Sequence, residues 1–321
     1  MIQYAQMRVD AFSRADNQKV LLFRFPMIFL ISMVDKPRGS GDLRWVSTEW
    51  LEEHLGNDLT VLDTQPDCHD YFLAHIPGSV ELEEKTLRAP LRGLPAVILQ
   101  PRLVASLFGR VGISNDKPVV IYTAKGGWRG WGDGLEQCMV AYVLLRMGHK
   151  KVYLLDGGMD KWIAEGRRTS QVFPRVKSVS FKPSLQEDFF LNMKRVKELK
   201  DKEGVILLDA RPSNIYRGEA GPWIKLGHIP GAVNLPWASL MDEKNKALLK
   251  PLPEIKRLAE EAGATKDKMI ICSCGTGREA TNEFTIFRYL LGYPRVSIYE
   301  GSWTEWSSRP RNPVVKGSDP R

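Results

Sequence analysis

Hydrophobic positions along this chain alternate between short apolar runs and longer stripes at helical spacing. Leu59-Thr60-Val61-Leu62-Asp63 and Val205-Ile206-Leu207-Leu208-Asp209 are apolar runs closed by an aspartate, and both read as buried strands. Val119-Val120-Ile121-Tyr122-Thr123 and Ile270-Ile271-Cys272-Ser273-Cys274 read the same way, as do Val152 to Gly157 and Val296 to Gly301. After Ala280 the apolar residues Phe284, Phe287, Leu290 and Leu291 form a helical stripe, which Gly292 and Pro294 should stop. Met139 to Met147 is similar and stops at Gly148. Strand–helix alternation of this kind predicts an α/β chain, its parallel sheets covered by helices on both faces.

These elements recur in one order at nearly constant spacing, so the chain reads as a duplication rather than a solenoid. His75-Ile76-Pro77-Gly78-Ser79 matches His228-Ile229-Pro230-Gly231-Ala232, and Trp162 matches Trp306. The expected organisation is an N-terminal extension 1–40, a first domain 41–170, a linker 171–177 and a second domain 178–315.

A length of 321 residues suits two domains, and 43% hydrophobic residues suffice for two cores. Four cysteines, Cys68, Cys138, Cys272 and Cys274, are too few for a disulfide scaffold and fit a reducing, cytoplasmic compartment. The formal charge of +8 comes without a long Lys/Arg run or a nucleic-acid motif, so no nucleic-acid partner is expected. Val20 to Val34 is apolar, but Arg24 and Pro26 interrupt it and it is short for a membrane span. No small-residue cleavage site follows. The expectation is an extension without a membrane span, with Met33 as an alternative start. Export is the alternative, should the stretch act as an atypical signal.

The chemistry concentrates at Cys274-Gly275-Thr276-Gly277-Arg278-Glu279-Ala280. A strand ends in a thiol, a glycine-rich turn follows, and a helix begins, so backbone N–H groups can curve around one anion. Gly275 and Gly277 leave room for that curvature, Thr276 offers a hydroxyl, and Arg278 a positive charge near an anionic substrate. Such a loop would stabilise a thiolate or a persulfide. The plain alternative is an inert thiol in a tight turn. A zinc site is disfavoured, because Cys272 and Cys274 make a C-x-C pair without further ligands nearby. Cys272 is better read as sheet core. A cysteine phosphatase loop would need arginine six residues after the cysteine, where Ala280 stands.

With these residues in view, the chain resembles a tandem-domain rhodanese, of the thiosulfate sulfurtransferase family, from about Leu43 to Val315. The resemblance rests on Cys274-x-x-Gly277-x-x-Ala280, Asp209-Ala210-Arg211, the paired His-Ile-Pro-Gly segments and Glu300-Gly301-Ser302-Trp303-Thr304-Glu305-Trp306. It implies two tandem α/β domains with the nucleophile in the second. Thr123 replaces the cysteine in the first copy, and Gln65 replaces Arg211, as an inactive copy would allow. It further implies sulfur transfer from thiosulfate to cyanide or a thiol through a Cys274 persulfide, with sulfite released and no cofactor or metal. A small sulfur donor and a thiol or protein acceptor are the implied partners. Asp209 and Arg211 resemble the family's supporting pair. Many thiosulfate-specific members carry cations where Gly275 and Thr276 stand, and Cys-Gly-Thr-Gly is similar to the loop of 3-mercaptopyruvate sulfurtransferases. That activity and a persulfide carrier are the alternatives. In mercaptopyruvate relatives a first-domain histidine assists; His75 matches its position and would meet Thr276 across a cleft. The competing reading of His75 and His228 is structural support. The long first-copy loop Ala124 to Asp133 would face the same cleft, with Trp128, Arg129 and Trp131 shaping an acceptor pocket.

Overall fold

The computed structural model describes residues 36–321. The apolar stretch Val20 to Val34 lies outside them. Among the described residues no helix is long and apolar enough to cross a membrane.

Two sheets of one plan are present. The first runs Leu43–Val46, Val152–Leu155, Val119–Tyr122, Thr60–Asp63, Val80–Glu81, all parallel. The second runs Phe190–Leu191, Val296–Tyr299, Met269–Ser273, Val205–Asp209, Ala232–Asn234, again parallel and in matching order. Arg38–Ser40, at the end of the expected extension, adds an antiparallel edge strand to the first sheet.

The strands are apolar on both faces because both faces are covered. In the second sheet, Leu207, Ile271 and Tyr299 point to one side, against Val196 of helix Met193–Leu199 and Trp303 and Trp306 of helix Ser302–Ser307. Leu208, Ile270 and Cys272 point to the other, against Ile255 and Phe284. The first sheet divides likewise, with Val61 and Val120 on one side and Leu62 and Ile121 on the other. Cys272 is therefore sheet core.

The two copies meet through their central helices. Helix Glu136–Arg146 has no exposed residue, as expected of a helix sandwiched between domains. Tyr142 meets Phe284 edge-to-face at 5.1 Å. Each fully buried Leu, Val or Phe at this seam contributes roughly 1.5–3 kcal/mol. The stripe after Ala280 forms α-helix over Ala280–Thr285, then widens into a π-helical turn over Ile286–Leu290 before Gly292, at φ +69°. Such turns add a residue without ending the helix.

The aspartate that closes the second strand of each domain is buried, and the copies solve that cost differently. In the second, Arg211 lies against Asp209 through Nε (2.8 Å) and Nη2, and Nη2 also donates to the Gly227 carbonyl at 2.9 Å. The guanidinium is capped by the Trp303 ring at 4.8 Å. In the first, two neutral side chains replace the cation. Gln65 Nε2 donates to Asp63 at 2.9 Å, and the Tyr122 hydroxyl donates to it at 2.5 Å. Without a countercharge, burial pushes Asp63 up to about 6. Tyr122 corresponds to Ser273, whose hydroxyl donates instead to the Leu208 carbonyl at 2.9 Å, so Gln65 and Tyr122 together do the work of Arg211.

Arg211→Gln, which leaves Asp209 buried without its cation, should lower the unfolding free energy by about 3–5 kcal/mol in a urea titration.

Candidate active site

Cys274 follows directly on strand Met269–Ser273 and is 1% exposed. Its backbone is held from the loop after the next strand. The Ser302 hydroxyl accepts the Cys274 N–H at 3.1 Å, and the Trp303 N–H donates to the Cys274 carbonyl at 2.9 Å. The single hydroxyl proton of Ser302 goes to the Tyr299 carbonyl at 2.7 Å, so its 4.0 Å approach to Sγ is a contact only. Ser302 holds φ +47°, costly for a side-chain residue; its first-copy counterpart is Gly158, at φ +56°. The strain is kept where the side chain serves the cysteine. Comparing the two copies at this position is the signal that could have flagged Ser302.

The loop curves as its glycines require. Gly277 has φ +80°, and a side chain there would come within 2.8 Å of the Glu300 carbonyl. The Gly275 carbonyl accepts from the Thr304 N–H and hydroxyl at 3.0 and 2.8 Å, while Trp223 packs over Gly275 and donates to the Thr304 hydroxyl at 2.9 Å. Backbone N–H groups of Ala280 and Thr276 reach the cysteine and favour its charged form. They do not prevail in this structure. Burial pushes the thiol well above its ordinary range, and the neighbouring Glu279 carboxylate pushes it the same way.

Arg278 also departs from expectation. Its guanidinium turns away from the loop's interior into the first copy, bonding Glu84 at 2.8 Å, Asp133 at 2.9 Å and Glu136 at 3.1 Å. It ties the copies together and is not placed to meet an anion at Sγ. In this cluster burial and Asp133 push Glu136 up to about 7, while Arg278 draws Asp133 down. Glu136 also accepts from the Thr123 hydroxyl at 3.0 Å, at the place of the missing cysteine.

Thr276 and Gly277 line a cavity of about 480 Å³. Its far wall is the hairpin Arg88–Leu91 and Leu94–Ile98 of the first copy, with Leu91, Leu94, Val97, Tyr142 and Phe190 facing it. The reciprocal segment of the second copy, around the bridge Met241–Leu249, closes the first copy's loop. Gly157 donates to the Ala247 carbonyl at 3.0 Å, Asn245 donates to the Gly157 carbonyl at 2.8 Å, and Leu249 donates to Asp156 at 2.9 Å. One hairpin bounds an open cavity; the other is bonded down.

His75 does not join the site. Its Nδ1 lies 2.8 Å from the Tyr71 carbonyl and its Nε2 3.2 Å from that of Val172, with the ring stacked on Tyr71 at 4.0 Å. His228 repeats the arrangement with the carbonyls of Tyr216 and Asp319. The histidine does the same work in both copies, tying strand entry to the end of its domain, so the pairing with Thr276 is corrected to structural support. Trp128 is likewise corrected: it stacks on His69 at 5.1 Å and lines neither interdomain cavity. Arg129 sits over Trp131. Trp131 lines a separate cavity of about 520 Å³ with Glu83, Glu84, Asp133 and Arg278. Asp209 and Arg211 act beneath the loop, through Trp303. Among the described residues the one cluster of metal-ligating atoms is the surface trio Asp67, Cys68 and His69, apart from Cys272 and Cys274.

A family model described as Rhodanese-like domain matches twice, at residues 47–165 and 192–309. A Synechococcus elongatus protein provisionally named a thiosulfate sulfurtransferase is 37% identical over 285 residues, covering 86% of each chain. The sulfur carrier protein TtuD of Thermus thermophilus is 33% identical over 288 residues, 85% of this chain and 97% of its own. Among solved structures, the anaerobic ergothioneine biosynthesis enzyme of Chlorobium limicola superposes with a TM-score of 0.75 at 23% identity, over 85% of this chain and 70% of that one, a likeness of fold.

Two outcomes follow from this geometry. Ser302→Gly should unfold about 1 kcal/mol less readily than Ser302→Ala in matched denaturant titrations, because both lose the hydroxyl and only glycine loses the strain. Glu136 binds its proton more tightly folded than unfolded, so its contribution to stability is present below about pH 4.5 and is lost as pH rises through about 7. Between these limits the parent should lose up to about 3 kcal/mol more than Glu136→Gln, read from unfolding curves across the range.

Proposed function

The chain belongs to the rhodanese family of sulfurtransferases, and from that premise we propose that it takes the sulfane sulfur of thiosulfate onto Cys274 and passes it to a thiophilic acceptor. The observation that carries this reading is the cradle itself. One buried thiol stands at a strand end, faced by the N–H groups of Thr276 and Ala280, in the one copy that has a cysteine at this position.

In the first half-reaction Sγ attacks the outer sulfur of thiosulfate. The Sγ–S bond forms, the S–S bond of thiosulfate breaks, and its electron pair leaves on sulfite. The charged terminal sulfur of the persulfide then rests against the loop N–H groups, which need no rearrangement to receive it. In the second half-reaction cyanide or a thiol attacks that terminal sulfur, and the pair of the breaking S–S bond returns to Sγ. Thr276, Gly277 and the positive φ at Gly277 hold the loop open to the cavity. Ser302 and Trp303 fix the cysteine backbone, and Asp209 with Arg211 supports Trp303 from below. No step calls for a cofactor.

A second reading has its own support. The cavity beside Thr276 is far larger than cyanide and is walled by apolar side chains, which suits an acceptor thiol carried on a larger body, as a sulfur carrier would require. The 3-mercaptopyruvate alternative keeps the likeness of Cys274-Gly275-Thr276-Gly277, while the His75 ring that would assist it is spent on backbone carbonyls.

Incubation with thiosulfate should add one sulfur to the intact mass, and cyanide should remove it as thiocyanate. Cys274→Ser should add none. A chain that gains sulfur from mercaptopyruvate but not thiosulfate would refute the donor assignment, and transfer by Cys274→Ser would refute the mechanism.

A further inference from the structure

Cys274 presents a difficulty that its loop does not resolve. The thiol is 1% exposed and burial pushes it well above its ordinary range, so its proton has no direct path to water when Sγ attacks. The loop's own cation is turned away, since Arg278 is bound to three carboxylates of the first copy. What stands beside the thiol instead is a carboxylate. Glu279 folds back over the loop, its Oε2 accepting the N–H of Gly275, the residue that follows the cysteine, at 3.2 Å, and this carboxylate is one of the groups that push the thiol up. An added Cβ at Gly275 would lie 3.6 Å from Oε2, so Glu279 packs closely on the residue following the nucleophile. Glu279 is only half-buried. It therefore neighbours the buried thiol on one side and solvent on the other.

Among the described residues no Lys, Arg or His forms an ion pair with Glu279. Cys274 and Glu283, one turn further along the helix, are its titratable neighbours. Glu283 is fully buried, with both carboxylate oxygens lacking a partner, and burial pushes it well above the carboxylate range. Asp209, which also faces Glu283, is paired with Arg211.

We propose that Glu279 is the proton acceptor for Cys274 and therefore a catalytic residue of the sulfur-loading step. As Sγ bonds to the sulfane sulfur, the thiol proton passes to Glu279. Thiol, carboxylate and thiosulfate become persulfide anion, carboxylic acid and sulfite, with charge conserved. Glu279 then releases the proton to departing sulfite or to water. In the return half an acceptor thiol gives its proton to Glu279, which restores it to Sγ as the acceptor persulfide leaves. The loop thus needs no standing thiolate, and a buried neutral thiol suffices between turnovers. General-base assistance of this kind contributes about 10²–10⁴-fold.

This inference rests on Cys274 being the nucleophile, and one experiment separates the two claims. Single-turnover loading by thiosulfate is followed by intact mass across a range of pH for the parent, Glu279→Gln and Glu279→Asp. The amide of Glu279→Gln can still accept the Gly275 N–H, so the loop keeps its brace. The parent should load with an acid limb and a plateau. Glu279→Gln should load about 100-fold slower at neutral pH and gain rate steadily as pH rises. Glu279→Asp should recover part of the rate and the parent's pH profile, and it carries the test alone if the glutamine variant does not fold. Loading by Glu279→Gln at or above the parent rate at neutral pH would overturn the proposal, because the carboxylate would then only repel charge. A parent chain that takes no sulfur on Cys274 would overturn the nucleophile reading and this proposal with it.

Discussion

The ion cluster at Arg278 is the contact on which the rest of this architecture depends. A guanidinium carried by the loop of one copy is neutralised by Glu84, Asp133 and Glu136 of the other. Arg278, Glu84 and Glu136 face little solvent, and removing the guanidinium would leave buried carboxylates without their cation. The loop around Cys274 is therefore set by its partner domain as well as by its own strand and helix. The second copy carries the thiol, and the first supplies the carboxylates, the hairpin wall of the cavity and Tyr142, whose hydroxyl bonds Glu300 at 2.7 Å. Arg146 reaches the same carboxylate at 2.7 Å.

The duplication diverged by matched exchanges rather than by scattered loss. Thr123 stands for Cys274 and gives its hydroxyl to Glu136. Gln65 stands for Arg211 and, together with Tyr122, satisfies buried Asp63 as Arg211 satisfies Asp209. Gly158 stands for Ser302 in the same left-handed conformation, so the backbone shape was kept while the hydroxyl was not. In each case the group tied to chemistry is gone from the first copy and the group tied to folding has been replaced in kind.

Much of this was legible in the sequence. The apolar runs gave both sheets, because strands buried on two faces are continuous in hydrophobicity. The repeat exposed the tandem plan, and the Cys274 loop announced an anion cradle. What was not legible were contacts made by long side chains across the seam. Nothing local says that Arg278 leaves its own loop for Asp133, or that Glu279 folds back onto Gly275, since both are exposed-type residues whose direction is fixed by packing. The acidic partners were invisible for the same reason. The His75 motif is ambiguous by itself because it is shared by function and fold. Only the identical bonding of His228 separates the two. Ser302 was within reach, hidden in a motif used for recognition rather than read position by position.

Helix Glu136–Arg146 has a consequence for how such a chain can evolve. Because no side of it meets solvent, it belongs to neither domain alone. Cutting the chain at the linker would leave an apolar face on each half and the charges around Arg278 without partners. The first copy is thus no spare module that could be deleted. It has become a fixed subunit of a dimer written in one chain, held by the need to keep its twin folded.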